Sequence, residues 1–285
     1  RPPFVFASFC GVDKVSHSET HASPLVIEAL RIVDDFVAGV QDDAARDGRA
    51  DALAIFVVSD HGHVPVTGHD DLADVVRDLG HRVLAHPRIF VRNADVAVMV
   101  SGNAMAHLFM RLESRTRPGW RAIAPHWTPL VQQLLARESV DLVALPHDAR
   151  TVELHGGAGR GMAMLVRHDD GTLDYRPVTG DPLTLGTLDH VDDDTAWRAS
   201  RDTDWPDAPV QLLSLAASER CGDVILSATR DWDFRGRYEP IPHRSSHGAL
   251  HRDHMLVPLL VNRAPHAEMR RTTHVFDEAM HALGR

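Results

Sequence analysis

The sequence predicts an α/β protein whose two ends build one parallel sheet around an inserted α+β segment. Three observations carry this. Apolar runs at 4–9 and 52–58 read as buried strands, and the stretch 25–40 between them has helical periodicity. Strand, helix, strand is a βαβ unit, and such a unit places its two strands parallel. From 141 to 176 the pattern changes to short strands with turns at Gly156-Gly157 and Asp169-Asp170-Gly171, the pattern of antiparallel hairpins. Strand-like runs then return at 222–228 and 255–261.

The elements follow in order. A polar loop is expected after the first strand, through Pro24. The helix over 25–40 has Ser23 and Pro24 at its start, an N-cap and a first-turn proline. Asp70-Asp71-Leu72 opens a helix that runs to about Leu79 and stops at Gly80. Short strands are expected at 82–85, 95–100 and 106–112, with Ser101-Gly102-Asn103 as a turn between the last two. Residues 125–136 read as helix, 179–207 as acidic loop, 209–218 as helix and 273–283 as a closing helix. The expected organisation is a discontinuous core, 1–63 with 208–285, and an inserted cap over 64–207.

A chain of 285 residues suffices for one large domain with an inserted lobe, or for two domains. Hydrophobic residues make up 44% and charged residues 25%, so a packed core is expected and disorder is not. No apolar run is long enough to cross a bilayer. The net charge of −10, without a basic stripe, argues against duplex nucleic acid as a partner. It leaves room for an anionic substrate, because bound cations invert the local field. Lys14 is the only lysine among 30 basic residues, which fits GC-rich coding more than function. Cys10 and Cys221 form no metal-binding spacing and read as two buried free thiols. The chain starts Arg-Pro-Pro and not with Met, and is expected to be the later part of a longer protein. The lack of a leader therefore says nothing about compartment.

Two motifs carry the chemistry. Gly11-Val12-Asp13-Lys14-Val15-Ser16-His17 and Val57-Val58-Ser59-Asp60-His61-Gly62-His63 each place an Asp and a His just after an apolar run. That is the edge where open α/β sheets keep their sites. Asp13 and His17 reach one cation if their loop tightens into a helical turn. Asp60 and His61 point apart in a strand, but a turn beside Gly62 brings both to a metal. Ser246-His247-Gly248 adds a third imidazole. Two Asp and three His suit divalent cations. His63 reads as a histidine behind the ligands or on the surface, and Asn103 as a cap residue that reaches the substrate or simply makes a turn. Gly156 to Gly161 lacks the Lys-Ser/Thr of a phosphate loop and joins hairpin strands. Trp232-Asp233-Phe234 and Tyr238 wall a base pocket or anchor a loop.

With His243-Arg244-Ser245-Ser246-His247-Gly248 and Val257-Pro258-Leu259-Leu260-Val261, these motifs resemble the alkaline phosphatase superfamily, in its type I phosphodiesterase and nucleotide pyrophosphatase branch. The resemblance implies a three-layer α/β sandwich with a mostly parallel central sheet. It implies two divalent cations, zinc with manganese or magnesium as options, and a small phosphorylated substrate. Asp13, His17 and His247 would hold one ion, and Asp60 and His61 the other. The ions would clamp phosphate oxygens and stabilise the leaving oxygen. The family's nucleophilic Thr or Ser and a further Asp ligand are expected upstream of Arg1. Ser16, Ser18, Thr20 and Ser59 do not occupy the nucleophile position, so the catalytic residue is unassigned. A phosphatase, phosphonate hydrolase, phosphomutase or sulfatase of the same fold, and a catalytically silent metal-stabilised binding domain, are the alternatives.

Overall fold

The computed structural model describes residues 2–87, 90–110, 112–113, 118–236 and 241–284. Tyr238 lies outside them, as does part of the strand expected over 106–112. Along the chain the elements are α1 (Gly11–Glu19), α2 (Pro24–Arg46), β1 (Phe56–Val58), β2 (Val64–Pro65), β3 (Gly68–His69), α3 (Leu72–Asp78), β4 (Val83–Leu84), β5 (Val96–Ser101), β6 (Met105–Met110) and α4 (Trp120–Leu135). They continue with β7 (Val140–Pro146), β8 (Thr151–Gly156), β9 (Gly161–Arg167), β10 (Leu173–Gly180), β11 (Leu188–Val191), α5 (Asp193–Ser200), α6 (Ala208–Ala216) and β12 (Val224–Ala228). The last are β13 (Trp232–Asp233), β14 (Ser245–Ser246), α7 (Arg252–Met255), β15 (Leu259–Val261) and α8 (His274–Ala282).

The fold is mixed α/β, but its sheet is not mostly parallel. Nine strands run in the order β11-β10-β9-β8-β7-β12-β6-β5-β4. Every neighbouring pair is antiparallel except β4–β5. Connection length accounts for five of the seven antiparallel pairs: links of three to seven residues, such as Gly157 to Arg160, favour hairpins, and a parallel pair needs a long crossover. The expected βαβ unit does not form either. Residues 4–9 are not a strand, and β1 pairs antiparallel with β15, Phe56 opposite Val261. The loop expected after them is largely helix α1.

The centre of the large sheet is buried on both faces. All of β7 and β12 is buried. Side chains alternate across the pleat. Val143, Leu145, Val224 and Leu226 pack with Leu72 and Val76 of α3 and Trp127, Leu130 and Leu134 of α4. Leu142, Ala144 and Ile225 pack with Leu212 and Leu213 of α6, Ala196 of α5 and Trp205. β12, from beyond residue 207, sits between β7 and β6, so the sheet draws on both sides of the expected boundary at 207. An ion pair between the exposed Arg137 and the buried Asp70 ties the loop ahead of α3 to that after α4: Arg137 donates to both Asp70 oxygens at 2.6 and 2.8 Å.

Local signals place several helices well. Ser23 Oγ accepts from Val26 N–H at 3.3 Å and Pro24 opens α2. Asp71 caps α3 by accepting from Asp74 N–H. The acidic loop expected over 179–207 contains β11 and α5, the latter capped by Asp192. Cys221 is buried as expected, but Cys10 is exposed, because its chain segment runs along the surface ahead of α1. No described helix is long and apolar enough to cross a membrane.

Candidate metal centre

Three chain segments meet at Asp13. It stands in the first turn of α1, where the helix dipole favours a carboxylate. His17 is one turn on, its Nε2 3.4 Å from Asp13 Oδ1. The link from β1 to β2 brings His61 and His63, with Nε2 atoms 3.8 and 2.9 Å from the same oxygen. His247, just past β14, places its Nε2 3.5 Å from it. Four imidazole nitrogens thus face one carboxylate oxygen. Asp60 is at the rim: its side chain is 87% exposed and 3.6 Å from His61 Nε2.

The pairing of β2 with β14 builds half of this arrangement. Val64 lies opposite Ser246 and Pro65 opposite Ser245. Continuing that antiparallel register sets His63 opposite His247, and their ring centroids are 5.0 Å apart. His61 lies face to face on His247 at 3.4 Å and 2°. Behind His247, its backbone N–H donates to Gly102 O and its carbonyl accepts from Ala104 N–H, both at 2.9 Å. Asn103, at φ 68°, turns its side chain to His243, Nδ2 to Nδ1 3.2 Å.

The hydrogen bonds assign the tautomers. His17 Nδ1–H donates to Ser245 O at 2.9 Å, so a neutral ring presents a bare Nε2 to Asp13. His61 Nδ1–H donates to Gly62 O at 3.2 Å with the same result. Ser245 Oγ spends its proton on Ser16 O at 2.6 Å, so it accepts from His63 Nδ1–H at 3.0 Å. Neutral His63 then also turns a bare Nε2 to Asp13 at 2.9 Å. Two acceptors that close need a cation, either a proton on the ring or a metal ion. Burial holds His63 below the usual histidine range against the pull of Asp13. Burial, and then His61 and His63, push His247 down to about 3. For Asp13, burial works upward, but the His63 contact and the neighbouring imidazoles outweigh it and keep the carboxyl low. The centre therefore keeps an ionised Asp13 carboxylate beside His63 and His247, whose protonation is disfavoured, and anchors Nδ1 of His17, His61 and His63. That is the donor chemistry and outer support of a zinc-type site. Asp13, His17, His63 and His247 offer donor atoms all within 4.8 Å of one another.

The geometry thus gathers Asp13, His17 and His247, sets His61 beside them and leaves Asp60 at the edge. His63, read from sequence as a bystander, is the imidazole nearest to Asp13. One signal was available: in extended backbone residues 61 and 63 share a side, so a role for His61 points also to His63. Ser246 Oγ, next to His247, is buried without a hydrogen-bond partner, while three other nearby hydroxyls are engaged. Ser16 donates to Val12 O, Ser18 to Val15 O and Ser59 to His61 O, at 2.7, 3.3 and 2.7 Å. Asp233 and Phe234 are buried, and Trp232 lies against Gly68, where an added Cβ would stand 2.4 Å from the indole. These residues anchor a loop.

The family profile of type I phosphodiesterases / nucleotide pyrophosphatases matches residues 1–154, more than half of the 285-residue chain. No curated protein matches the sequence. Among solved structures, phosphonoacetate hydrolase from Sinorhizobium meliloti 1021, in complex with phosphonoformate, is similar at 15% identity and a TM-score of 0.46. The similarity covers 95% of this chain and 49% of that one. The chain thus spans about half the length of that structure.

Proposed function

Because this chain belongs to the type I phosphodiesterase / nucleotide pyrophosphatase family, a branch of the alkaline phosphatase superfamily, we propose that it is the metal-binding part of a hydrolase acting on phosphorus-containing esters. The substrate class we favour is a phosphodiester or a nucleotide pyrophosphate. The observation that carries the reading is the convergence of four Nε2 atoms on Asp13, with Nδ1–H anchored in three of the rings.

In this proposal Asp13, His17 and His247 hold one divalent cation, with His63 next to Asp13, and Asp60 with His61 hold a second. Zinc suits the imidazole-rich set best. Bound cations supply positive charge that stabilises the oxygens of the phosphoryl group. The chain's own work is to keep the donors deprotonated and fixed. Ser245 orients His17 through its carbonyl and His63 through its hydroxyl, while Gly102 and Ala104 hold the His247 backbone. Asn103, behind His247, is within the proposal as a substrate contact. The assignment of 1–63 and 208–285 to metal binding and of 64–207 to a cap belongs to the proposal as a division of roles.

The engaged hydroxyls of Ser16, Ser18, Ser59 and Ser245 favour a second reading for the chain taken alone: it binds metal without turnover. Zinc content after dialysis and release of nitrophenol from bis(nitrophenyl) phosphate separate the two. Turnover that Asp60→Asn abolishes supports the hydrolase, and stoichiometric zinc with no turnover supports the silent domain. Absence of bound zinc in the unaltered protein refutes both.

A further inference from the structure

A second set of donors lies at the β11 edge of the large sheet and shares no residue with the Asp13 centre. His168 follows β9, Asp174 is in β10 and His190 is in β11. Asp174 Oδ2 is 3.0 Å from His168 Nε2, and Oδ1 is 3.4 Å from His190 Nδ1. The two imidazoles stack at 3.9 Å and 22°. One donor atom from each of the three residues lies within 4.8 Å of the others.

The backbone is shaped to make this set. The β10–β11 register shifts between Leu173 and Tyr175, around Asp174, and such bulges re-aim side chains. His190 has φ 48°, a left-handed conformation uncommon outside glycine. Its N–H donates to Asp174 Oδ1 at 2.8 Å and fixes the carboxylate. Asp174 is 2% exposed, so its charge needs strong partners. His168 Nε2 is itself buried and stands 3.0 Å from Asp174 Oδ2, poorly aligned for a hydrogen bond. The short, misaligned pair sets an imidazole nitrogen and a buried carboxylate oxygen side by side.

We propose that His168, Asp174 and His190 form a second, zinc-type cation site that clasps β11 to the β9–β10 hairpin. Two imidazole nitrogens and a carboxylate oxygen are a borderline-soft donor set that suits zinc and leaves a fourth position open. Asp189 is close to that position, its Oδ1 4.0 Å from His190 Nδ1. Arg176 competes for the site: it reaches Asp174 Oδ2 and Asp189 Oδ1, each at 2.8 Å. Its side chain is 56% exposed, so it swings into solvent without a buried cost.

The test is zinc stoichiometry after dialysis against a zinc buffer, for the unaltered protein and for His168→Ala with His190→Asn. The double variant should lose one equivalent and keep the rest, and its cobalt-loaded form should lose part of the visible absorption. Equal zinc content in the two proteins overturns the proposal. His190→Asn alone guards against a folding defect, since Asn tolerates a left-handed backbone. It should weaken one class of site at least about tenfold, while an unchanged titration overturns the proposal. Because the Asp13 donors are untouched, this result is independent of the fate of the hydrolase reading.

Discussion

Gly102→Ala tests whether the sheet's turn holds the metal centre in shape. Gly102 has φ +58°, and an ideal Cβ there would stand 2.6 Å from His247 Nδ1, 2.7 Å from His247 O and 2.8 Å from Cε1. Rotating the ring relieves only part of this, because the carbonyl is pinned by Ala104 N–H and the His247 N–H by Gly102 O. Two costs add. A left-handed alanine costs about 1–2 kcal/mol. Overpacking a well-filled site costs about 1–3 kcal/mol. Gly186→Ala is the control: φ is +68° but nothing lies within 4 Å of its ideal Cβ, so only the first cost applies. Urea unfolding with a chelator present should therefore separate the two variants by about 1–3 kcal/mol. Reaching ordinary contact at 3.4 Å moves the imidazole by about 0.8 Å. That exceeds the roughly 0.2 Å tolerance of a metal–ligand distance, so zinc affinity should fall at least about tenfold in a chelator competition titration. Equal stability of the two variants to within about 0.5 kcal/mol, with unchanged zinc affinity, would refute the reasoning.

Two further substitutions probe the neighbouring histidines. His254 is buried, its Nε2 has no hydrogen-bond partner, and burial followed by His251 pushes it down to about 4. The unfolded chain, with an ordinary value near 6.5, binds more protons between those two values, so stability falls as pH drops through that window, by about 3 kcal/mol in all. His254→Asn keeps an acceptor for Ala249 N–H and should flatten the pH dependence of chelator-treated unfolding between pH 6.5 and 4; an unchanged slope contradicts the assignment. His63→Ala removes the ring between Asp13 and Ser245 and should weaken zinc binding at least about tenfold by calorimetry, whereas a surface role predicts no change.

Helix starts were legible in the sequence because their signals are local. Ser23-Pro24 before α2 and Asp71 before α3 act within one turn of the backbone they cap. The hairpins across Gly157 and Gly171 were legible for the same reason: a short link leaves the next strand one way to pair. The proposed ligand set of Asp13, His17, Asp60, His61 and His247 was read from the motifs and the family they resemble.

Strand partners were not legible, because pairing is decided by packing between distant segments. The run 4–9 has the composition of a strand but no strand partner among the described residues, and β1 finds its own in β15, some two hundred residues on. The place of β12 between β7 and β6 belongs to the same class. His63 shows the point at a single residue. The sequence makes it one of 20 histidines, and only the β2–β14 register sets it opposite His247 and beside Asp13. Chain composition determined which donors exist; the hydrogen-bonded register, which depends on residues far apart in the chain, decided which of them meet and which nitrogen each one presents.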